Sequence, residues 1–224
     1  MNRIILVIAP HPDDEILGVG GSIAKFINDG NDIYVLICTK GYPPDFDIEV
    51  TGIARKEARM AHEYLGVKET IFLDFPAANL DKIQHKEINK KIIEVLDYIK
   101  PQIVFIPFIG DVHLDHQIIF HSSLVALRPI NSFKVESIYA YETLSETNWN
   151  ASYLATNFMP NVYIEITNYL DKKIEAMKLY KSQLRNFPHE RSLETIRALA
   201  MLRGSTVGVK AAEAFVLIRE MISP

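Results

Sequence analysis

The stretch Ile4-Ile5-Leu6-Val7-Ile8-Ala9-Pro10-His11-Pro12-Asp13-Asp14-Glu15 decides how the rest of the chain is read. Ile4 to Ile8 shows no polar alternation, the pattern of a strand buried on both faces of a sheet. A histidine held between two prolines follows, and then three consecutive acidic residues. From about Asp14 to Asp29, Ile16, Ile23 and Ile27 recur on one side with Leu17 and Ala24 beside them, and Gly30 closes the helix they predict. The reading is strand, turn, helix, with a polar cluster at the carboxyl end of the strand.

Working outward, the same alternation repeats. Ile33 to Cys38 reads as a second strand, Arg55 to Leu65 as a helix closed by Gly66, and Ile71-Phe72-Leu73 as a short third strand. Glu87 to Ile99 carries Ile88, Ile92, Leu96 and Ile99 at helical spacing before Pro101, and Ile103 to Ile106 is a fourth strand. Beyond these, Ser137 to Tyr141 and Val162 to Ile166 are strand-like, while Asn168 to Gln183 and Leu193 to Arg203 are helix-like. The expected fold is α/β: a Rossmann-like, doubly wound, mostly parallel sheet with right-handed crossovers and an irregular helical C-terminal part. No internal repeat, low-complexity tract or Gly/Ser linker interrupts it. Residues 1–224 are therefore expected to form one domain, with 1–130 as the Rossmann-like core and 131–224 completing the substrate site.

Composition narrows the function. At 224 residues, 48% hydrophobic and 23% charged, the chain has the length and mix of one globular domain. Its single cysteine, Cys38, excludes an intrachain disulfide framework and any cysteine-based zinc cluster. A net charge of −4 argues against a nucleic-acid-binding face. No apolar run is long enough to span a bilayer, and Ile4 to Ala9 is too short for a signal-peptide core and lacks a cleavage site. A cytoplasmic protein with no membrane association is expected. Seven histidines remain, so any metal must be held by His, Asp and Glu.

A second polar cluster, Asp111-Val112-His113-Leu114-Asp115-His116, follows the fourth strand. Either cluster alone has an ordinary explanation, since Asp caps helices and acidic side chains suit the positive end of a helix dipole. If the strand order is 3-2-1-4, however, strands one and four are adjacent and their outgoing loops flank the crevice where doubly wound sheets bind ligands. Imidazole and carboxylate converging there suit zinc or another divalent ion. A two-histidine, one-carboxylate set equally suits ferrous iron (Fe2+). With three ligands taken, the other carboxylates and histidines are left for proton transfer.

Pro10-His11-Pro12-Asp13-Asp14-Glu15 with His113-Leu114-Asp115-His116 resembles the PIG-L/LmbE-like family of metal-dependent N-deacetylases. The segment from Arg203-Gly204-Ser205 through Gly208 to Ala212-Glu213-Ala214-Phe215 is similar to that family's closing segment. The resemblance implies a Zn2+ enzyme that removes acetyl from an N-acetylglucosamine-type amino sugar or its conjugate. It implies His11, Asp14 and His116 as metal ligands and Asp13 as the base for the water the metal holds. His113 would stabilise the oxyanion or protonate the leaving amine, with Asp115 fixing its orientation, and Arg55 would contact substrate. A homo-oligomer is implied too. Glu15 is expected to serve the helix start rather than catalysis. Leu114 departs from the proline many members have there, at what should be a spacer position.

Three alternatives compete. A metal-dependent phosphoesterase would use similar ligands, and a non-catalytic carbohydrate-binding or scaffold protein would need no turnover. A nucleotide-binding Rossmann enzyme rests on Gly18-Val19-Gly20-Gly21, but Ile23 occupies the third glycine position of that pattern. Asp13, Asp14 and Glu15 would moreover repel a pyrophosphate at the helix start. These glycines are read as close packing of the first helix on the sheet. His62, His85 and His121 are read as ordinary polar helix residues and Cys38 as a small core residue. His189, in Phe187-Pro188-His189-Glu190-Arg191, is read as an ordinary loop residue rather than as one that reaches a pocket. Tyr139, Tyr141 and Trp149 are either core or subunit packing or stacking surfaces for a sugar ring.

Overall fold

Strand β1 (Ile4–Ala9) is buried from Ile5 onward and organises the molecule. The computed structural model describes residues 2–130 and 133–222. After β1 come α1 (Asp14–Asn28), β2 (Asp32–Lys40), α2 (Ile48–Leu65), β3 (Glu69–Pro76), α3 (His85–Ile99), β4 (Ile103–Pro107) and α4 (Leu114–Ala126). The remainder supplies β5 (Ser137–Tyr141), β6 (Val162–Glu165), α5 (Leu170–Lys178), α6 (Leu193–Thr206) and β7 (Ala212–Glu220).

Successive side chains of a strand face opposite sides of its sheet, and β1 divides its residues accordingly. Ile5, Val7 and Ala9 join Ile16 and Ile23 of α1, Ala58 and Ala61 of α2, Ile174 of α5 and Ile196 of α6 in one core. Leu6 and Ile8 join Ile88, Ile92 and Leu96 of α3 and Ile119 of α4 in the other. Two helical layers therefore enclose one sheet, which explains why β1 and β4 read as unbroken apolar runs.

The sheet order is β3-β2-β1-β4-β5-β7-β6. Strands β1 to β5 are parallel, with Val7 opposite Val35 of β2 on one side and Phe105 of β4 on the other. The order 3-2-1-4 expected from the sequence holds, and the direction of winding reverses between β1 and β4. In the C-terminal part β6 falls where Val162 to Ile166 reads as a strand, and one strand the sequence does not announce, β7, joins the sheet antiparallel to both β5 and β6. The helix expected to reach Gln183 ends at Lys178, and α2 starts earlier than Arg55, where the Asp47 side chain accepts the Glu49 N–H at 2.7 Å.

The first helix is pinned by a buried ion pair. Glu213 of β7 accepts the N–H groups of Gly21 and Ser22 at 2.9 and 2.7 Å and the Lys173 ammonium at 2.6 Å. Lys173 also donates to the Leu17 carbonyl at 2.7 Å. A Cβ on Gly18 would collide with the Tyr141 ring, and one on Gly21 would lie 2.6 Å from Ile166 Cδ1. These glycines bring α1 against its neighbours and leave no opening for a phosphate. Among the described residues, no helix is long and apolar enough to cross a membrane.

Candidate active site

The turn between β1 and α1 is made at Asp13, whose φ of 116° and ψ of −28° lie where a non-glycine residue is held only by its surroundings. Although Asp13 occupies the cap position, its side chain makes no capping bond. Its N–H donates to Glu15 Oε2 at 3.1 Å. The other Glu15 oxygen accepts from His62 Nε2 at 3.0 Å and from the Tyr180 hydroxyl, and His62 Nδ1 meets Thr70 Oγ1 at 2.7 Å. Glu15, His62 and Tyr180 are all buried. His62, read from sequence as an ordinary helix histidine, is thus a satisfied buried residue behind the site. Next in the chain, the Asp14 carboxylate accepts the His11 N–H at 2.9 Å.

At the equivalent turn after β4, the helix cap is His113, whose Nδ1 accepts the Asp115 N–H at 3.1 Å. Neither Asp111 nor Asp115 caps α4. Asp111 instead accepts from His116 Nδ1 at 2.8 Å and is itself held by Thr147 Oγ1 at 2.6 Å. That carboxylate fixes the ring so that Nε2 faces Asp14 Oδ2, 3.2 Å away but out of line for a hydrogen bond. Such outer carboxylates orient metal-ligating histidines. Asp115 departs from its expected role. Its carboxylate binds His11 Nε2 at 2.9 Å and the N–H of Ala78 at 2.7 Å, so it orients His11 and the loop after β3, while its backbone holds His113.

One donor atom from each of His11, Asp14 and His116 can be chosen so that all lie within 4.8 Å of one another. Asp14 Oδ1 and His116 Nε2 are buried without a hydrogen-bond partner. Buried polar atoms are rarely left unmatched, and a cation at this locus would satisfy both. A second group, His11, His113 and Asp115, meets the same distance. Its His113 Nδ1 and Asp115 carboxylate, however, are already engaged by neighbours. The donor set of the first group fits a metal cofactor.

Electrostatics follow from burial and crowding. Burial pushes the Asp13 carboxyl up to about 8, against the pull of Arg191. Burial also opposes charge on Asp14, but His116 and His11 outweigh it and hold its pKa well below the usual range. His11 is driven the other way: burial lowers its pKa, yet its contacts with Asp115 and Asp14 raise it to about 9. Burial and the neighbouring His11 charge lower His113 to about 4.

A cavity of about 220 Å³ opens over these groups, lined by His11, Asp13 and His113 from the turns and by Lys40, Arg55, Glu146, Gln183 and Arg191 around them. Arg55 does line the cavity, but its guanidinium is anchored, donating to Asp74 at 2.8 Å and to the carbonyls of Thr39 and Leu73. Sequence reasoning missed Arg191 and Glu146. Arg191 donates to Asp13 Oδ2 at 3.1 Å, to Ser145 Oγ at 2.8 Å and to Glu146 at 3.4 Å. It arrives from a loop 178 positions away in sequence, and no spacing pattern announces it.

A doubly wound sheet with two histidines and a carboxylate converging at its switch point, beside a second carboxylate, defines a hydrolase built to hold a metal. The comparisons sharpen this. The family model of PIG-L, the GlcNAc-PI de-N-acetylase, matches residues 6–127, more than half of the chain. A diacetylchitobiose deacetylase of Thermococcus kodakarensis is 28% identical over 93% of this chain and 80% of its own. An uncharacterised deacetylase of Escherichia coli is 33% identical over 80% of this chain and 90% of its own. The solved N,N′-diacetylchitobiose deacetylase of Pyrococcus horikoshii shares the fold, with a TM-score of 0.78 at 24% identity over 96% of this chain and 84% of that one. The chain belongs to the PIG-L family, and its reaction is hydrolytic N-deacetylation. The nucleotide-binding alternative falls with the buried, bonded amides of Gly21 and Ser22.

Proposed function

We propose that the protein removes the acetyl group from an N-acetylglucosamine-type amino sugar or its conjugate, with zinc held by His11, Asp14 and His116, releasing acetate and a free amine. The observation that carries this reading is the pair of unpartnered buried atoms, Asp14 Oδ1 and His116 Nε2, beside the Asp13 carboxylate. A bound zinc ion supplies Lewis acidity, bringing the pKa of coordinated water from about 16 towards about 7.

The chain's own groups do the rest. Asp13 lines the cavity with a side chain free of capping duty, so it is placed to take a proton from the attacking water. Arg191 keeps that carboxylate oriented. His113 Nδ1 is occupied by the Asp115 N–H, and with a pKa near 4 the neutral ring carries its proton on Nε2. That N–H is the donor for the oxyanion as the carbonyl carbon becomes tetrahedral. The C–N bond then breaks, and the proton held by Asp13 passes to the leaving amine. His113 acts here as a hydrogen-bond donor rather than as the acid. Arg55, anchored on Asp74, lines the wall against which the sugar lies.

The reading extends to a single working unit over residues 1–224, in the cytoplasm and as a homo-oligomer. Tyr153, Leu154 and Met159, each at least 75% exposed, supply apolar surface for self-association. Acetate release from N-acetylglucosamine, its glycosides and its acidic conjugates, measured with zinc-loaded protein beside phosphate release from phosphoesters, tests the reaction. Acetate without phosphate is expected; inactivity on every amide sinks the proposal.

A further inference from the structure

Ser145 lies in the loop after β5 with φ at 69°, a left-handed conformation that a non-glycine residue keeps only where its surroundings enforce it. It is buried, and two consecutive residues of the loop before α6 enforce its conformation. The Glu190 carboxylate accepts the Ser145 N–H at 2.7 Å, and Arg191 Nε donates to Ser145 Oγ at 2.8 Å. The same guanidinium donates from Nη1 to Asp13 Oδ2 at 3.1 Å. Contacts therefore run from Glu190 through Ser145 and Arg191 to the carboxylate beside the metal donors.

Both loops in this relay are fastened. Two residues past Ser145, Thr147 donates to Asp111, and the Glu146 carbonyl accepts the Val112 N–H at 3.2 Å. The loop that presents Ser145 is thus tied to the turn carrying His113 and His116. On the other side, His189 is an ordinary loop residue by sequence, yet it lines a small cavity beside the catalytic one. Its Nδ1 accepts the Arg191 N–H at 3.0 Å and fixes that backbone. Only the arginine side chain is left to place, and a long side chain has many rotamers to lose. Its contacts with Gln183 and Glu146 are long, at 3.4 Å each, so the nearer Ser145 Oγ does most to choose among them. A planar guanidinium pinned at Nε has the direction of its Nη donors set.

We infer that Ser145, locked by Glu190, is a positioning residue for the base: its hydroxyl sets the plane of the Arg191 guanidinium and so the aim of the Asp13 carboxylate. This rests on the deacetylase reading, in which Asp13 takes the proton from water.

The test separates the hydroxyl from the backbone shape. Ser145→Gly suits φ 69° better than serine does and retains the N–H that Glu190 accepts, but it removes the acceptor for Arg191. In the zinc-loaded full chain, kcat for acetate release from N-acetylglucosamine and its glycosides should fall by about 10- to 100-fold, the scale of a misplaced catalytic group. KM, metal content and Tm should stay native. Glu190→Ala leaves the Ser145 N–H unmatched and should lower kcat likewise, while Glu190→Gln, which keeps an acceptor oxygen, should hold most of the native rate. In an Arg191→Ala background, Ser145→Gly should change kcat no further, because its effect passes through the arginine. A native kcat in Ser145→Gly overturns the inference. So does an undiminished loss in the Arg191→Ala background, which would give Ser145 another route to the site. A raised KM at native kcat overturns it too, making this loop a wall of the substrate site. Acetate from no amide, even with the native protein, defeats the deacetylase reading itself, and this inference with it.

Discussion

The Glu15 carboxylate accepts the backbone N–H of Asp13 at 3.1 Å, and through that bond a buried triad sets the aim of the residue beside the metal donors. Asp13 sits at φ 116°, a conformation its own side chain does nothing to favour. Glu15 holds it from behind, and His62 and Tyr180 in turn hold Glu15.

Replacing Glu15 by Gln places an amide N–H₂ among three donors: the Asp13 N–H, the His62 ring and the Tyr180 hydroxyl. At least one buried donor is left unmatched, at a cost of about 1–3 kcal/mol. If that cost falls on the Asp13 turn, kcat drops by about 10- to 100-fold, at 1.36 kcal/mol per decade. Metal content should hold, because the His11, Asp14 and Asp111 contacts do not involve Glu15. Elemental analysis beside steady-state kinetics checks both halves. A native kcat removes Glu15 from the positioning of Asp13.

Asp13→Asn keeps the shape of the side chain and removes its capacity as a base. The variant should bind metal as the native protein does while kcat falls by about 100- to 10,000-fold, the range general-base groups contribute. His11→Ala and His116→Ala should instead lose the metal. A metal-replete, fully active Asp13→Asn protein sinks the assignment.

Asp111 touches no donor atom that would face the cation; it acts through the far nitrogen of His116. Asp111→Asn is expected to weaken metal affinity by about 10- to 100-fold. Competition with a chelator of known affinity measures this, and an unchanged affinity shows that ring orientation comes from packing instead.

How far these relationships could be read in the sequence depended on their range. β1 and β4 are buried on both faces and stand out as apolar runs, and the two polar clusters sit where those runs end. Asp111 and His116 belong to one short segment and were visible as a group. β7 was not, because Glu213, buried beside Lys173, interrupts the apolar pattern that would have marked a strand. Nor was the partnership of His62 with Glu15, 47 positions apart, since a polar residue on a helix reads as solvent-facing until the opposing carboxylate is in place. Arg191 depended on the path of an entire loop.

The metal-free protein should lose stability as the pH rises through neutrality. His11 titrates at about 9 in the folded protein against 6.5 unperturbed. The native state therefore keeps a proton that the unfolded chain has lost, and the stabilisation present below 6.5 disappears as pH approaches 9. Asp13 acts in the same direction: the unfolded carboxyl releases its proton near 3.8 and the native one near 8. Both contributions decline together between pH 6.5 and 8. A cation needs its ligand His11 unprotonated, so the Tm increment from zinc should grow over the same window. Thermal scans of chelator-treated and zinc-loaded protein at pH 6, 7, 8 and 9 measure it. A metal-free Tm that climbs from pH 6.5 to 8 contradicts the account.

Gly21 separates a packing role from a ligand-binding one. An added Cβ would lie 2.6 Å from Cδ1 and 3.0 Å from Cβ of Ile166, a fully buried residue whose Cβ, unlike its Cδ1, no rotamer change moves aside. Overpacking of this kind costs about 1–3 kcal/mol. In a chain of this length each kcal/mol lowers Tm by about 2–4 °C. The Gly21 N–H is already spent on Glu213, which is paired with Lys173, so no substrate group depends on it. Gly21→Ala should therefore lower Tm while KM per folded molecule stays native. A raised KM with a native Tm would mean that these glycines meet a ligand after all.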